Sequence, residues 1–344
     1  MRYDPFDPFP ERCRGCAAVR SVKIIGTGMC LPSEVVTNED LANRIDTSDQ
    51  WIRERTGIRE RRIADAATST ATLAAGSVRD ACADAGIEPS ELDGLIVGTC
   101  SPDTVLPSTA CWVQGALEIR GMPAFDVMAG CSSFLYGLDV AANWLATGRA
   151  EKIAVCGAEV FSKIIDWNDR RTCVLFGDGA GTAIVTKGEG DAGILAAHWG
   201  CDGTAADILK VPAGGTRMPA SQGTLDEGLH TVYMEGSKVF KHAVTAMSQG
   251  LTETLAEAGV EAGDVDMLIP HQANLRIMNA TRERVGIGAD RVYSVLEKYG
   301  NLSAASIPVA LCEALRAGAL REGQLLASTA FGSGVTWASA LLRI

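Results

Sequence analysis

The sequence predicts an α/β protein built from two similar halves, and two internal matches carry this prediction. Residues 85–97 (AGIEPSELDGLIV) resemble residues 258–270 (AGVEAGDVDMLIP), and residues 151–157 resemble residues 322–328 at nearly the same separation. In the longer match, helix-like residues lead to a glycine, a short loop and an apolar run typical of a buried strand. Any α/β protein repeats helix, loop and strand, but two matches in one register favour duplication of a whole unit.

The length and composition agree with two packed units of a globular protein. The chain has 344 residues, of which 47% are hydrophobic and 37 are glycine, and this glycine content is typical of many tight turns. We expect residues 1–20 to form an N-terminal extension, residues 21–190 the first half and residues 191–344 the second half. In each half, helices should cover a largely apolar sheet, and functional residues are expected where the halves meet.

The charge and hydropathy of the chain exclude several classes of partner. The net charge of −11 argues against broad binding to nucleic acid, although a local basic patch for an anionic partner is compatible with it. No apolar run approaches the roughly 20 residues that span a bilayer. The polar, charged N-terminus lacks the apolar core of a signal peptide. We therefore expect a cytoplasmic protein that binds neither membranes nor nucleic acid.

The cysteine content does not predict a disulfide framework. The eleven cysteines are an odd number, and most lie in apolar runs where a buried, inert thiol is expected. Cys13 and Cys16 form a CxxC pair, but no second pair with zinc-ligand spacing accompanies them. We therefore predict no metal site, and a reducing compartment suits this pattern.

The segment around Cys131 predicts a thiol at the start of a helix. Residues 124–130 have the pattern of a strand that ends in a Gly-containing turn, and residues 134–138 that of the beginning of a helix. The positive end of the helix dipole and nearby N–H groups favour a thiolate at this position. Cys131 is accordingly either a nucleophile or a small residue that packs in a turn.

Two further residues are candidate partners for a nucleophile. His271 is one of four histidines and follows the apolar run of the second repeat, where a strand is expected to end in a polar loop. His242 instead has the context of an ordinary helix residue. Asn301 lies among small residues that permit close backbone approach, and an amide can donate to a developing oxyanion without titrating.

The order Cys, His, Asn along the chain is compatible with two kinds of chemistry. In papain-like cysteine peptidases the thiol attacks an amide and the asparagine orients the histidine, but the usual C-G-[SA]-C-[WY] context is absent around Cys131. In decarboxylative condensation the thiol holds an acyl group instead. Two neutral donors then stabilise the thioester enolate that forms when carbon dioxide leaves.

Several short segments, taken together and in order, resemble one family. The matching segments are residues 24–28, 46–52, 55–61, 176–181, 270–277, 299–308 and 330–332. From about residue 21 to the C-terminus the chain resembles the β-ketoacyl-acyl carrier protein synthase III enzymes of the thiolase-like superfamily. The resemblance implies a thiolase-like duplicated, five-layered αβαβα architecture and a homodimer. It also implies an acyltransferase that initiates fatty acid synthesis without a cofactor.

The resemblance assigns chemical roles to the candidate residues. Cys131 would accept an acyl group from acyl-coenzyme A (acyl-CoA). His271 and Asn301 would then assist the decarboxylation of malonyl-acyl carrier protein, and the resulting enolate would attack the Cys131 thioester. Backbone N–H groups of Cys131 and Ser333 would hold the thioester oxyanion, and Phe331 would lie close to the malonyl carboxylate. Covalent capture divides one difficult condensation into two easier steps.

The resemblance also implies two binding surfaces. Trp51 would stack on the adenine of coenzyme A, and the matching residues near the nucleotide and the pantetheine arm are Arg55, Thr56, Arg170 and Asn274. Aromatic faces and guanidinium groups suit a base and its phosphates. A basic rim would dock the acidic carrier protein, and its matching residues are Lys241, Arg276, Arg282 and Arg284. For Arg282 and Arg284 a solvated helix face is a nearly equal alternative.

The chain departs from the family pattern at a few positions. Ser132 and Ser133 replace Ala and Gly after the nucleophile, Ser333 replaces a glycine, and Glu283 interrupts the basic rim. Leu106 matches the position that closes the acyl pocket from across the dimer. Because leucine is smaller than the phenylalanine of acetyl-selective members, a primer longer than acetyl is expected. A starter-unit condensing or acyl-transfer enzyme of secondary metabolism is the alternative function.

Overall fold

A computed structural model describes residues 22–188 and 192–344 of the chain. The predicted extension, residues 1–20, therefore lies outside the described residues, and so does the Cys13–Cys16 pair. The predicted boundary between the halves also falls in the undescribed gap between the two ranges.

The first described range contains the strands β1 to β7 and the helices α1 to α5. The strands are β1 (Val22–Cys30), β2 (Glu34–Thr37), β3 (Glu60–Ile63), β4 (Gly94–Gly98), β5 (Ala124–Val127), β6 (Lys152–Val160) and β7 (Asp178–Lys187). The helices are α1 (Asn38–Ala42), α2 (Asp49–Thr56), α3 (Thr70–Ala85), α4 (Thr109–Ala116) and α5 (Ser133–Ala146).

The second described range contains the strands β8 to β13 and the helices α6 to α10. The strands are β8 (Gly193–Cys201), β9 (Leu209–Lys210), β10 (Tyr233–Met234), β11 (Met267–Pro270), β12 (Leu325–Gly332) and β13 (Thr336–Arg343). The helices are α6 (Gln222–Asp226), α7 (Gly236–Ala258), α8 (Leu275–Val285), α9 (Leu296–Tyr299) and α10 (Ser306–Arg316).

Two sheets of related topology confirm the predicted duplication. The first has the strand order β1-β7-β6-β4-β5 and the second the order β11-β12-β13-β8. In the first sheet β4 runs parallel to β6, which continues antiparallel through β7 to β1. In the second sheet β11 runs parallel to β12, which continues antiparallel through β13 to β8. The two internal repeats fall on the equivalent pairs β4/β11 and β6/β12.

Five layers result from the way helices pack on these sheets. Helices α3 and α4 cover the outer face of the first sheet, and α7 covers the outer face of the second with α8 against it. Helices α5 and α10 lie between the sheets, because α5 contacts β4, β6, β8 and β13, and α10 contacts β1, β7 and β11. The predicted αβαβα architecture is therefore confirmed.

The sequences of the two central helices explain their position. In α10 every residue from Ser306 to Cys312 is buried, so the buried positions surround this part of the helix. A helix that is apolar all round is stable only where other elements cover every face. Both central helices begin where the two sheets meet. The loops that lead into these helices lie in the interior of the protein, and we call this region the junction.

A buried arginine fixes the loops that flank this junction. The Arg61 side chain is fully buried and donates to the Val36 carbonyl, the Asn38 side chain and the Val174 carbonyl at 3.2, 2.9 and 2.9 Å. Burial lowers its pKa to about 10, so the guanidinium is still charged near neutral pH. Arg61 thus joins β3 to the start of α1 and to the segment before β7.

Replacing Arg61 by alanine is expected to lower the free energy of unfolding by about 3–5 kcal/mol. The change leaves a cavity and removes charge-assisted donors from three buried acceptors. Urea unfolding monitored by circular dichroism measures the difference. Arg53→Ala is the matched control, since the Arg53 side chain makes an exposed ion pair with Asp49 and its loss should cost less than about 1 kcal/mol. Equal effects of the two substitutions would contradict the structural role of Arg61.

Candidate active site

A cavity of about 930 Å³ lies at the junction of the two sheets, and residues from both halves line it. The structure places Cys131, His271 and Asn301 in this one cavity, together with Phe331 and Ser333. These residues come from distant parts of the sequence. They meet because β11 and β12 end at the junction, and α5 and α10 begin there.

A tight turn between β5 and α5 presents Cys131. Gly130 has a left-handed conformation with φ 57°, which glycine adopts without steric cost. The Ser133 hydroxyl donates to the Gly130 carbonyl at 2.6 Å and accepts from the Ala129 N–H at 2.9 Å. Ser133 therefore braces the turn from within. The side chain of Ser132 does not cap the helix.

The turn that carries Cys131 is in close contact with the loop between β12 and β13. A Cβ atom on Gly130 would collide with the backbone nitrogen of Ser333, and one on Gly332 would collide with that of Cys131. The two backbone nitrogens expected to hold an oxyanion thus lie on turns that touch. The Ser333 hydroxyl faces elsewhere and donates to the Leu209 carbonyl at 2.6 Å.

Burial dominates the electrostatics of the Cys131 thiol. It raises the pKa of this thiol to about 12, and the charge of Glu159 acts in the same direction. A hydrogen bond between the sulfur and the Ser303 hydroxyl, at 3.3 Å, opposes the increase. Burial therefore opposes the thiolate that the helix start favours, because removal of water disfavours the charged form.

His271 enters the cavity directly from the end of β11. The backbone N–H of His271 donates to the Thr329 carbonyl at 2.8 Å, which extends the pairing of β11 with β12 by one residue. The side chain is 2% exposed, and its buried Nδ1 has no hydrogen-bond partner among the described residues. Burial lowers the pKa of His271 to about 3. The imidazole is therefore neutral at physiological pH.

The backbone around Asn301 fixes the direction of its amide. The Asn301 N–H donates to the Leu175 carbonyl at 2.9 Å, and the Asn301 carbonyl accepts from the Gly177 N–H at 3.1 Å. The side-chain oxygen Oδ1 accepts from the Ser303 N–H at 2.8 Å. This contact assigns the amide orientation, so that the Nδ2 group is available as a donor.

Three of the residues expected near coenzyme A form an aromatic and cationic cluster around α2. The guanidinium groups of Arg55 and Arg170 lie over the Trp51 ring, at 4.8 and 5.3 Å from its centroid. Arg55 and Asn274 also line the cavity. Thr56 differs from the expectation, because it is buried and its hydroxyl donates to the Ile52 carbonyl at 2.7 Å. Its place is within the helix turn and not at a ligand surface.

The predicted carrier-protein residues differ in what their side chains contact. Arg276 is exposed at the cavity, with its guanidinium 5.8 Å from the centroid of the Phe240 ring, and Lys241 and Arg284 are exposed as well. Arg282 instead donates to the Asn279 and Glu283 side chains, both at 3.1 Å. Glu283, the residue expected to interrupt the basic rim, therefore forms an ion pair with Arg282.

Leu106 does not line the cavity of its own chain. Its residue surface is 86% exposed, and it precedes Pro107 through a cis peptide bond. Any effect of Leu106 on an acyl group would therefore require a second copy of the chain.

Sequence reasoning missed three polar residues of the site, namely Cys100, Glu159 and Ser303. The Glu159 carboxylate is fully buried and accepts from the Ser101 hydroxyl at 2.6 Å and from the N–H groups of Cys100 and Ser101 at about 3.0 Å. Burial raises its pKa. A charged residue inside the apolar run of β6 was the available signal for Glu159. The sequence around Ser303 contained no such signal, because the partners of its side chain come from distant parts of the chain.

The described ranges show no sign of a metal centre or a membrane span. Residues 22–188 and 192–344 hold no group of three or more His, Cys, Asp or Glu side chains that could bind a metal ion. None of the helices in these ranges is both long and apolar enough to cross a bilayer.

A thiol, a neutral imidazole and an oriented amide at the centre of a duplicated five-layered fold define a class of condensing acyltransferases. Comparison with known proteins identifies the family. The family model for 3-oxoacyl-[acyl-carrier-protein] synthase III matches residues 125–203, and the model for its C-terminal part matches residues 255–344. The chain belongs to the β-ketoacyl-[acyl-carrier-protein] synthase III family, the acyltransferases that the sequence resemblance indicated.

Individual relatives support this assignment over nearly the whole chain. A β-ketoacyl-[acyl-carrier-protein] synthase III of Caldanaerobacter subterraneus subsp. tengcongensis is 50% identical over 93% of this chain and 97% of its own length. The crystal structure of the corresponding Aquifex aeolicus enzyme is 43% identical, with a TM-score of 0.86 over 94% of this chain and 100% of that one. A priming β-ketosynthase from the R1128 polyketide pathway is 30% identical, with a TM-score of 0.86 over 94% and 96%. The peptidase hypothesis is not supported.

Protein stability is expected to fall in acid partly because of His271. Its pKa is about 3 in the folded protein and near 6.5 when unperturbed, so the unfolded chain binds the proton first. The stability that depends on neutral His271 is present above pH 6.5 and is lost as the pH falls towards 3. Between pH 6.5 and 4.5, wild type should lose about 2 kcal/mol more than His271→Gln. Urea unfolding across this range tests the prediction, and parallel curves for the two proteins would contradict it.

Proposed function

We propose that Cys131 accepts an acyl group from acyl-CoA and that the acyl-enzyme condenses with malonyl-acyl carrier protein to give β-ketoacyl-acyl carrier protein. The observation that carries the proposal is the convergence of Cys131, His271 and Asn301 in one buried cavity of a member of this family. The condensation would initiate fatty acid synthesis, and a cytoplasmic location is proposed with it. Acyl-CoA and malonyl-acyl carrier protein are substrates, and no cofactor is required.

In the first step the Cys131 sulfur attacks the thioester carbonyl of acyl-CoA. A carbon–sulfur bond forms at Cys131, the bond to coenzyme A breaks, and the departing thiolate takes up the proton that Cys131 loses. The N–H groups of Cys131 and Ser333 would stabilise the oxyanion, since their turns are in contact. Because burial raises the pKa of Cys131, the neutral thiol predominates before substrate binds.

In the second step the malonyl thioester loses carbon dioxide and becomes an enolate. His271 and Asn301 would donate hydrogen bonds to the enolate oxygen, and both are neutral groups that need not give up a proton. The buried Phe331 ring disfavours a carboxylate beside it and so favours its conversion to carbon dioxide. The enolate carbon then attacks the Cys131 thioester, a carbon–carbon bond forms, and the carbon–sulfur bond to Cys131 breaks. The Cys131 thiolate that leaves takes up a proton from solvent.

Substrate binding is assigned to the groups around the mouth of the cavity. Trp51, Arg55 and Arg170 would bind the nucleotide of coenzyme A, and an adenine that stacks on Trp51 would compete with a guanidinium for the ring. Asn274 would contact the pantetheine arm from the cavity wall. Lys241, Arg276 and Arg284 would dock the carrier protein, with Arg282 contributing less because Glu283 pairs with it.

A homodimer is proposed from the exposed edge of the first sheet. Strand β5 lies at one edge of this sheet, and apolar side chains around it are exposed: Val105, Leu106, Trp112, Phe125 and Met128. An apolar patch beside an unpaired strand edge is typical of an interface. A second copy at this edge would bring Leu106 to the partner's acyl pocket, which allows a primer longer than acetyl.

Starter-unit condensation in secondary metabolism is the second candidate. The likeness to the R1128 priming β-ketosynthase supports it, whereas the higher identity to the Caldanaerobacter enzyme favours fatty acid synthesis. The two functions share the chemistry of Cys131 and differ in primer and carrier protein.

Intact-protein mass spectrometry with acetyl-, butyryl- and hexanoyl-CoA tests the acyl-enzyme and the primer length. Wild type is expected to gain the mass of each acyl group, and Cys131→Ala none. Leu106→Phe should reduce hexanoyl loading at least several-fold and leave acetyl loading unchanged, because a larger ring shortens the pocket. The same adduct on Cys131→Ala would overturn the proposed function. Loading of acetyl alone by wild type would overturn only the inference from Leu106.

Steady-state kinetics tests the docking surface for the carrier protein. Arg276→Ala is expected to raise the KM for malonyl-acyl carrier protein about tenfold, the effect of one lost charge-assisted hydrogen bond. Arg282→Ala is the matched control and should change this KM less than twofold, because its guanidinium is occupied within the protein. Equal effects of the two substitutions would argue against this surface, as would an equal rise in the KM for acyl-CoA.

A further inference from the structure

Ser303 has a backbone conformation that a serine seldom adopts. Its φ angle is 48°, in the left-handed region where a side chain costs roughly 1–2 kcal/mol. It begins the short turn Ser303–Ala305, between Asn301 and the start of α10. A residue persists in such a conformation when its surroundings determine it, and such residues cluster at functional sites.

The contacts of Ser303 reach two of the three candidate catalytic residues. Its backbone N–H donates to Asn301 Oδ1 at 2.8 Å, and its hydroxyl oxygen lies 3.3 Å from Cys131 Sγ. The same hydroxyl lies 3.9 Å from Cys100 Sγ. The Glu159 carboxylate also accepts a hydrogen bond from Ser303. Because Ser303 is 1% exposed, its hydroxyl depends on the two thiols and this carboxylate for partners. The left-handed backbone allows one residue to contact the thiol and the amide together.

We propose that Ser303 is a positioning residue that stabilises the Cys131 thiolate through its hydroxyl while its N–H holds the Asn301 amide in the donating orientation. The inference rests on the proposed role of Cys131 as nucleophile. The new element is the Ser303 hydroxyl, which offsets part of the cost of forming a buried Cys131 thiolate.

The direction of the hydrogen bond changes with the protonation of Cys131. While the sulfur carries its proton, either the thiol or the hydroxyl can donate. Once the proton leaves, the sulfur can only accept, so Ser303 must donate to it. A hydrogen bond to a charged acceptor is about twice as strong as one between neutral groups, and it favours the charged form.

The charges around Cys131 leave this hydroxyl as a principal source of stabilisation. The buried Glu159 carboxylate opposes the thiolate. His271 is neutral in this cavity. The remaining titratable groups that line the cavity are Arg55, Lys210 and Arg276. Of the side chains that bond directly to the sulfur in the described ranges, Ser303 is the one that lowers the Cys131 pKa.

The pH dependence of Cys131 alkylation by iodoacetamide tests the proposal on the full chain without any substrate. Trypsin releases residues 121–149 as one peptide in which Cys131 is the single cysteine, so mass spectrometry separates it from the exposed Cys111 and Cys201. Ser303→Ala removes the hydroxyl and keeps the N–H bond to Asn301. The plot of its alkylation rate against pH, measured between pH 6 and 10, should shift to higher pH by about one unit. At a fixed pH the rate should therefore be about tenfold lower than in wild type.

Two further variants make the result interpretable. Ser306→Ala removes another buried hydroxyl in the same segment, one that accepts from the Leu302 N–H and is not bonded to Cys131, and it should keep the wild-type curve. Ser303→Gly also lacks the hydroxyl, and glycine adopts a positive φ freely, so it serves if Ser303→Ala does not fold. If the folded Ser303→Ala or Ser303→Gly protein shows the same pH dependence of Cys131 alkylation as wild type, the proposal is overturned. Failure of acyl-CoA to load wild-type Cys131 would overturn the proposed function and leave this measurement intact.

Discussion

The site depends on the contact between two backbone turns, one from each half of the duplicated fold. Neither Gly130 nor Gly332 has room for a Cβ atom, because each lies against the backbone of the opposite turn. This contact sets the distance between the N–H groups of Cys131 and Ser333, which we propose hold the acyl oxygen. The central helices α5 and α10 maintain it, since the apolar surface of each is buried between the sheets.

The same enclosure imposes opposite effects on the two titratable candidates of the site. Burial raises the pKa of Cys131 to about 12 and lowers that of His271 to about 3, and both shifts favour the neutral form. A neutral imidazole suits hydrogen bonding to an enolate oxygen, whereas a neutral thiol is a poor nucleophile. The enclosure would therefore favour the second step of the proposed reaction and hinder the first. This asymmetry explains why a hydroxyl such as that of Ser303 is valuable beside the sulfur.

The parts of the structure that depend on local pattern could be predicted from the sequence. The two repeats identified β4/β11 and β6/β12, because a glycine-ended helix, a loop and an apolar strand are visible within about fifteen residues. His271 could be placed at a strand end for the same reason. Glu159, Ser303 and the buried hydroxyl of Thr56 could not be interpreted in this way, since their partners are set by packing. The effect of burial on the Cys131 thiol could not be predicted either, because the helix start is a local feature and burial is a global one.

The serines that depart from the family pattern illustrate how a local difference can leave a site unchanged. The Ser133 hydroxyl is satisfied by the Gly130 carbonyl and the Ala129 N–H, and the Ser333 hydroxyl by the Leu209 carbonyl. A hydroxyl that already has backbone partners gains little by turning towards an acyl chain, and it would leave those partners unsatisfied if it did. These serines therefore brace the two turns that meet at Cys131. The polar group that reaches the sulfur comes instead from Ser303, inside a segment that follows the family pattern.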